Sequence, residues 1–314
     1  MGAYILRRIL LSLVVIWLVT ILSFMLIHIM PGDPAAIMLG PEASQTQIDT
    51  LRHELFLDQP LAVQYWHWLS NAVMGNLGKS LKYLEPVSDL IAQRLPITIT
   101  LSLIALLISV IIGIGAGIIC AIRRGSILDS AITVLANLGI SIPIFWLGIL
   151  GIYFIGLGLG WLPISGYTSP TVDFWLFFRK SIMPVFCLAI PPVSVLARQT
   201  RSSMLEVVRQ DYIRTAWSKG LTERVIVIKH ALKNALIPVV TILGLQLRLV
   251  VGGSVLVETI FNIPGMGRLL VDATLNKDFV TVQAVTLVIA LVVLISNLFV
   301  DISYGWLDPR IRYD

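Results

Sequence analysis

The chain has 314 residues, 57% of them apolar and only 13% charged, with a formal net charge of +5. Soluble domains carry roughly 25% charged residues, so this composition excludes a disordered chain, a fibrous protein and an ordinary soluble enzyme. The excess of basic residues is better placed on loops at one membrane face than on a nucleic-acid surface.

A bilayer crossing needs roughly 20 apolar residues with few charges. The first such run is 9–27. Arg7 and Arg8 precede it as the basic region of a signal peptide would. The run exceeds the roughly 7–15 residues of a signal core and no small-x-small cleavage site follows, so an uncleaved helix is expected. Residues 31–95 form a region outside the membrane, too short for a separate catalytic domain. Leu51, Leu55, Tyr65, Trp66 and Leu69 have helical spacing within it. Residues 96–122 give the second span. The uncharged stretch 130–172 is expected to hold one helix and then a Trp/Gly/Pro loop beginning near Trp161. Span four, 181–197, carries Pro184, Pro191 and Pro192, a hinge or a distorted helix. Span five, 234–257, is interrupted once, by Arg248, and span six is 279–300. The expected fold is an all-α integral membrane protein with six transmembrane helices.

Orientation follows from Lys and Arg in the loops. With the N-terminus in the cytoplasm, 14 basic residues fall inside and 8 outside, and 11 of the 18 acids fall outside. Both termini are therefore expected in the cytoplasm. The chain divides into a first helix (1–30), an outside helical segment (31–95) and a membrane core (96–314) that includes a cytoplasmic segment, 198–233. Gly113-x-x-x-Gly117 and Gly156-x-x-x-Gly160 let helices approach closely. Packing inside the bundle is the preferred reading of both.

The cytoplasmic segment holds eight Lys and Arg residues. Ser203 and Glu206 have capping-box spacing, which predicts a helix start at Ser203. Val208, Tyr212 and Ala216 share one face, and Gly220 breaks the helix. Thr222 can cap a second helix whose apolar positions are Val225, Ile226, Ile228 and Leu232. Helix, glycine elbow, helix is a short rigid element suited to docking on another protein. A solvated basic loop explains the charge but not the cap, the stripe and the elbow together.

Other chemistry finds little support. Gly78-Lys79-Ser80 ends like a phosphate-binding loop, but the required first glycine is Val73. His28, His53, His67 and His230 are scattered by the expected topology. Cys120 and Cys187 lack CxxC spacing and neighbouring His, so no metal site is expected. Arg248 is a lone charge in mid-span, the kind of residue that faces a bundle interior or a wet path. It and Gln246 are the candidate pathway residues, with a structural ion pair as the alternative for Arg248. Asn137, Asn297 and Asp301 are explained by hydrogen bonds between helices.

The run Tyr212-Ile213-Arg214-Thr215-Ala216-Trp217-Ser218-Lys219-Gly220-Leu221, followed by His230-Ala231-Leu232-Lys233-Asn234-Ala235-Leu236-Ile237-Pro238, resembles the EAA loop of ATP-binding-cassette (ABC) importer permeases of the dipeptide, oligopeptide and nickel family. Further stretches agree in order: Pro31-Gly32-Asp33-Pro34, Leu57-Asp58-Gln59-Pro60-Leu61, Gly75-Asn76-Leu77-Gly78-Lys79-Ser80, Glu258-Thr259-Ile260-Phe261 with Pro264-Gly265-Met266-Gly267, and Asp308-Pro309-Arg310. One departure is that Arg214, six residues before Gly220, stands where the general pattern has Glu. The resemblance implies an ABC type I importer permease fold and a non-catalytic subunit. It also implies a homologous sister permease and two cytoplasmic ATPase subunits that carry ATP and Mg. An extracytoplasmic substrate-binding protein would deliver cargo. The resemblance further implies that Tyr212, Arg214, Thr215, Ala216, Lys219 and Gly220 meet the ATPase. A secondary transporter or channel is the rival, but it would want acidic or histidine relays in mid-membrane.

Overall fold

A computed structural model describes residues 2–29 and 32–307. The closing Asp308-Pro309-Arg310 motif and the charges of Arg310 and Arg312 lie outside the described residues.

Helix α1 is Gly2–His28. Three short helices follow: α2 (Pro34–Leu39), α3 (Gln45–Glu54) and α4 (Leu61–Val73). The first two starts have side-chain caps. Asp33 accepts the Ala35 N–H with Pro34 already in the first turn, and Ser44 and Gln47 form a reciprocal capping box. Next come α5 (Val87–Ile122), α6 (Ile127–Ser141) and α7 (Ile144–Gly151), the last continuing as π-helical turns Ile152–Gly158. Helix α8 is Phe174–Val207 and α9 is Asp211–Ser218. The short α10, Glu223–Val225, leads through π-helical turns Ile226–Ala231 into α11, Leu232–Ile260. Helices α12 (Met266–Leu275) and α13 (Phe279–Leu307) complete the described chain. Among the described residues no strand forms; one bridge pairs Lys79 with Pro86.

Five helices are long and apolar enough to cross a membrane, and α6 with α7 makes a sixth if the bent pair is one span. The stretch 130–172 corrects the expectation of one helix. It forms two helices at 104° to each other. Pro143 supplies the reason. It has no N–H to continue α6, and it holds Ile142 in an extended conformation (φ −80°, ψ 126°). The loop after Gly158 is where the sequence placed it. Helix α8 runs unbroken through Pro184, Pro191 and Pro192.

The chain divides into two compact units, one mainly Thr98–Ile263, the other Ile5–Ile97 with Pro264–Ile295. In the first unit, α8 is the most enclosed element, with Leu188, Leu196 and Thr200 at 2% exposure or less. Gly113 and Gly117 form the seam of α5 against it. A Cβ at Gly113 would lie 2.8 Å from Leu196 Cβ, and one at Gly117 would lie 2.5 Å from Thr200 Cβ. That motif is therefore used for packing inside the chain. The second glycine pair behaves differently. Gly156 sits in the π-helical turns and is covered by Ile164, while Gly160 turns the chain at φ +65°. It is not a helix-crossing seam, because the helix ends at Gly158.

In the second unit, Ala35, Met38 and Leu51 share one core with Val87, Leu90, Met266, Leu269 and Val285. The segment 32–95 thus has its apolar faces covered by α12 and the first part of α13. Helix α4 packs on α1 through rings: Phe24 lies against Tyr65 and Trp68, and Tyr65 and Thr20 share a 2.8 Å hydroxyl contact. His28 Nε2 donates to Gln64 Oε1 at 2.8 Å. Trp66, expected on the apolar face, is 64% exposed.

Candidate functional site

Helix α8 has 34 residues, about 51 Å at 1.5 Å per residue, against a hydrocarbon layer of about 30 Å. The helix is thus longer than the layer is thick, and its C-terminal end carries the elbow. Ser203 does not start a helix. It lies inside α8, buried, with its hydroxyl accepting from Gln199 Nε2 at 3.1 Å. Capping-box spacing acts only where the capping residue leaves helical backbone, and here the helix runs on to Val207. The next helix starts eight residues later, at Asp211, capped by extended Gln210 without a side-chain bond.

Helix α9 buries Ile213 completely and Ala216 nearly so. They rest on Met204 of α8, on Ile226, Val227 and Ala231 of the π-helical turns, and on Ala235 of α11. The expected stripe of Val208, Tyr212 and Ala216 is thus shifted. Val208 and Tyr212 are exposed, and Ile213 takes the inner position. The reason is that α9 begins afresh at Asp211, so Val208 is not on its surface lattice. In the second helix Ile226 is buried as expected, while Val225 and Ile228 are exposed and Val227 faces inward.

Gly220 closes α9 at φ +75°. Its N–H donates to the Trp217 carbonyl at 2.9 Å, and the Leu221 N–H reaches the Ala216 carbonyl at 3.4 Å. These are the two bonds of a Schellman cap, completed by Leu221 packing on the same apolar patch. Thr222 has the extended backbone of a cap but makes no side-chain cap bond.

What remains outward is a mixed surface. The rings of Tyr212 and Trp217 are 43% and 49% exposed. Arg214, Thr215 and Lys219 are exposed beside them. Arg214 pairs loosely with Asp211 at 3.6 Å. Thr215 and Ser218 spend their hydroxyls on the helix's own carbonyls. Asn234 Nδ2 donates to Tyr212 Oη at 2.8 Å, tying the outer face to α11. Of the six residues singled out from sequence, Tyr212, Arg214, Thr215 and Lys219 share this surface, Gly220 shapes its edge, and Ala216 points into the core. Trp217 belongs to the surface and was missed, although an aromatic three residues after Arg214 was a visible signal.

Gln246 and Arg248 are elsewhere. Gln246 is 14 residues past the start of α11, about 21 Å along the axis. It is buried within the chain. Arg248 lies on α11, and its side chain is outside the described residues.

Three buried carboxylates were not singled out. Asp129 takes two bonds from Arg201, at 2.7 and 2.9 Å, and one from the Gly125 N–H. Glu258 accepts from Thr98 Oγ1 at 2.6 Å. Asp278 accepts from the Ser80 and Thr281 hydroxyls. Ser80, the end of the sham phosphate loop, is thus committed to a structural contact. Among the described residues no group of three or more His, Cys, Asp or Glu is placed to hold a metal.

Comparison with known proteins places the chain in a family. Residues 113–313 match the family described as binding-protein-dependent transport system inner membrane component, and residues 1–102 match its N-terminal companion. A probable peptide ABC transporter permease of Sinorhizobium fredii is 42% identical over the full length of both chains. A putative peptide transport system permease of Brucella abortus is 45% identical, again over both chains. An oligopeptide transport system permease of Bacillus subtilis is 42% identical, also over both chains. Among solved structures, the MetNI methionine ABC transporter in an inward-facing conformation has a chain that superposes with a TM-score of 0.58 at 18% identity, covering 70% of this chain and 96% of that one. That likeness shows the fold. The chain belongs to the binding-protein-dependent transport system inner membrane component family and is a multi-pass membrane permease of ABC importers.

Proposed function

We propose that the chain forms half of the translocation path for peptides and is driven by ATPase subunits docked on α9. The observation that supports this is the way α9 is held. Its inner face is fixed by Ile213 and Ala216 and its end by the Gly220 cap, so a push on the outer face moves α8 and α11 with it. The outer face offers Tyr212, Trp217 and Arg214, residue types that dominate binding energy at interfaces. Lys219 and Thr215 complete the contact, and Ala216 and Gly220 position it. A homologous sister permease supplies the other half of the path, and an extracytoplasmic binding protein supplies cargo. Peptide cargo is carried over from the names of the relatives. Both termini lie in the cytoplasm, on the same side as α9, as the basic loops require. ATP and Mg reside on the ATPase subunits, and this chain supplies no catalytic group. Arg248 contributes positive charge to the path.

The test is affinity purification in mild detergent of the wild-type chain and of a Tyr212→Ala/Trp217→Ala variant. The wild type brings down P-loop ATPases and a second permease. The variant is inserted normally but loses the ATPases and peptide uptake. Unchanged ATPase recovery and uptake in the variant would remove α9 as the coupling element. Transport by the isolated chain in liposomes without ATP would overturn the importer reading. Arg248→Ala is expected to lower uptake while ATPase recovery stays at the wild-type level.

A further inference from the structure

Two cavities formed chiefly by α5, α6 and α8 share three lining residues, Ile132, Ala136 and Ala197. The larger, about 470 Å³, is lined by apolar side chains except for Ser194. That hydroxyl is already spent on the Ile190 carbonyl at 2.9 Å. The groove follows α6 from Ile132 to Ile142, about 15 Å of helix, which is the depth of one leaflet's hydrocarbon. The smaller cavity, about 270 Å³, adds Cys120, Thr133, Asn137, Arg198 and Arg201. Arg201 is oriented and neutralised by its paired bonds to Asp129. Arg198 is exposed and makes no ion pair among the described residues. Arg123 and Arg124, both exposed, stand on the short link between the end of α5 and the start of α6, at the same end of the helices.

An apolar trough one leaflet deep that shares a wall with a pocket lined by an unpaired guanidinium matches one kind of molecule. We propose that the composite cavity binds an anionic phospholipid, with an acyl chain along α6 and the phosphate against Arg198. Basic pockets between membrane helices recognise such headgroups, and each Lys or Arg near the surface strengthens the attraction. Thr133 and Asn137 offer hydroxyl and amide donors to the remaining headgroup oxygens. The site requires only that these helices sit in a bilayer, so it stands apart from the coupling role of α9.

The chain is purified in mild detergent with the subunits that accompany it. It is then stripped of lipid and loaded with phosphatidylglycerol or phosphatidylcholine of matched acyl chains. Bound lipid is counted by native mass spectrometry. Phosphatidylglycerol is expected to be retained over phosphatidylcholine. Arg198→Gln is expected to reduce that retention about fivefold, and Arg198→Lys to restore most of it, which separates loss of charge from loss of fold. Ala116→Phe, which narrows the trough, is expected to reduce retention with every arginine in place. Equal retention of the two lipids, or wild-type retention by Arg198→Gln, would overturn the proposal. Displacement of the lipid by inorganic phosphate alone would overturn it as well, since the pocket would then need no acyl chain. Capture of another polypeptide by a cross-linker at Ala116→Cys would assign the trough to a protein partner instead.

Discussion

Residues 32–95 and the elbow at 208–231 both stand outside the apolar runs, yet the first is held by a broad apolar core reinforced by polar groups and the second by a small apolar patch. In the first, Asp33 caps α2 and accepts from Arg52 at 2.6 Å. Ser44 and Gln47 lock the start of α3, and Ser80 is bound to buried Asp278. Hydrogen bonds of this kind are directional, so the segment has one seating. In the elbow, Thr215 and Ser218 turn back on their own helix, one bond ties Tyr212 to Asn234 of α11, and the inner face is Ile213 and Ala216. Such a patch holds a lever in place while leaving its charged and aromatic face free for a partner.

Substitutions that attack one mode and spare the other test this contrast. The largest effect is expected from Ile213→Asp. It puts a charge where a completely buried side chain sits, at a cost beyond the ~2–5 kcal/mol of truncation to Ala. The elbow should detach and become cleavable by trypsin between Arg209 and Lys219, while the chain stays in the membrane. Resistance equal to wild type would show that the patch does not hold the elbow. Asp278→Ala should act in the other region. It strips the acceptor from two buried hydroxyls, at about 2–3 kcal/mol. The melting temperature should drop and the trypsin pattern at the elbow should not change; cleavage at the elbow would mean the two modes are coupled.

Gly220→Ala should cost about 1–2 kcal/mol, because a Cβ is disfavoured at φ +75°. Nothing lies within 4 Å of that Cβ position, so the cost is backbone strain rather than collision. Gly220→Asn, which tolerates this conformation, should recover part of the loss in a thermal unfolding assay. The smallest stability change is expected for Arg214→Ala, under ~0.5 kcal/mol, since its pair with Asp211 is long and solvated. ATPase recovery should still fall. A change in stability with recovery intact would reverse the role assigned to Arg214.

Much of this was readable beforehand. The apolar runs placed the long helices, and Gly220 placed the elbow, because both signals are local. Pro143 was equally local, but its effect was hidden in an uncharged run that reads as one span. The capping pattern at Ser203 misled for the opposite reason. The residues fit a helix start, but α8 already passed through them, held by buried neighbours on both sides. Trp217 lay within the quoted motif, three residues after Arg214, and the structure places its ring on the outer surface because Ile213 takes the inner position.

The amino-acid sequence by itself determined that this is a helical membrane protein of a recognisable permease family, with a stiff basic elbow between two spans. Hydrophobic length and glycine geometry act over a few residues and need no partner. Only the tertiary structure decided which face of the elbow points outward. It also decided that Asp129, Glu258 and Asp278 are buried and satisfied, and that two cavities along α6 share a wall near Arg198. Those outcomes depend on contacts between residues as far apart as Ser80 and Asp278 or Asp129 and Arg201, which come together only when the helices pack.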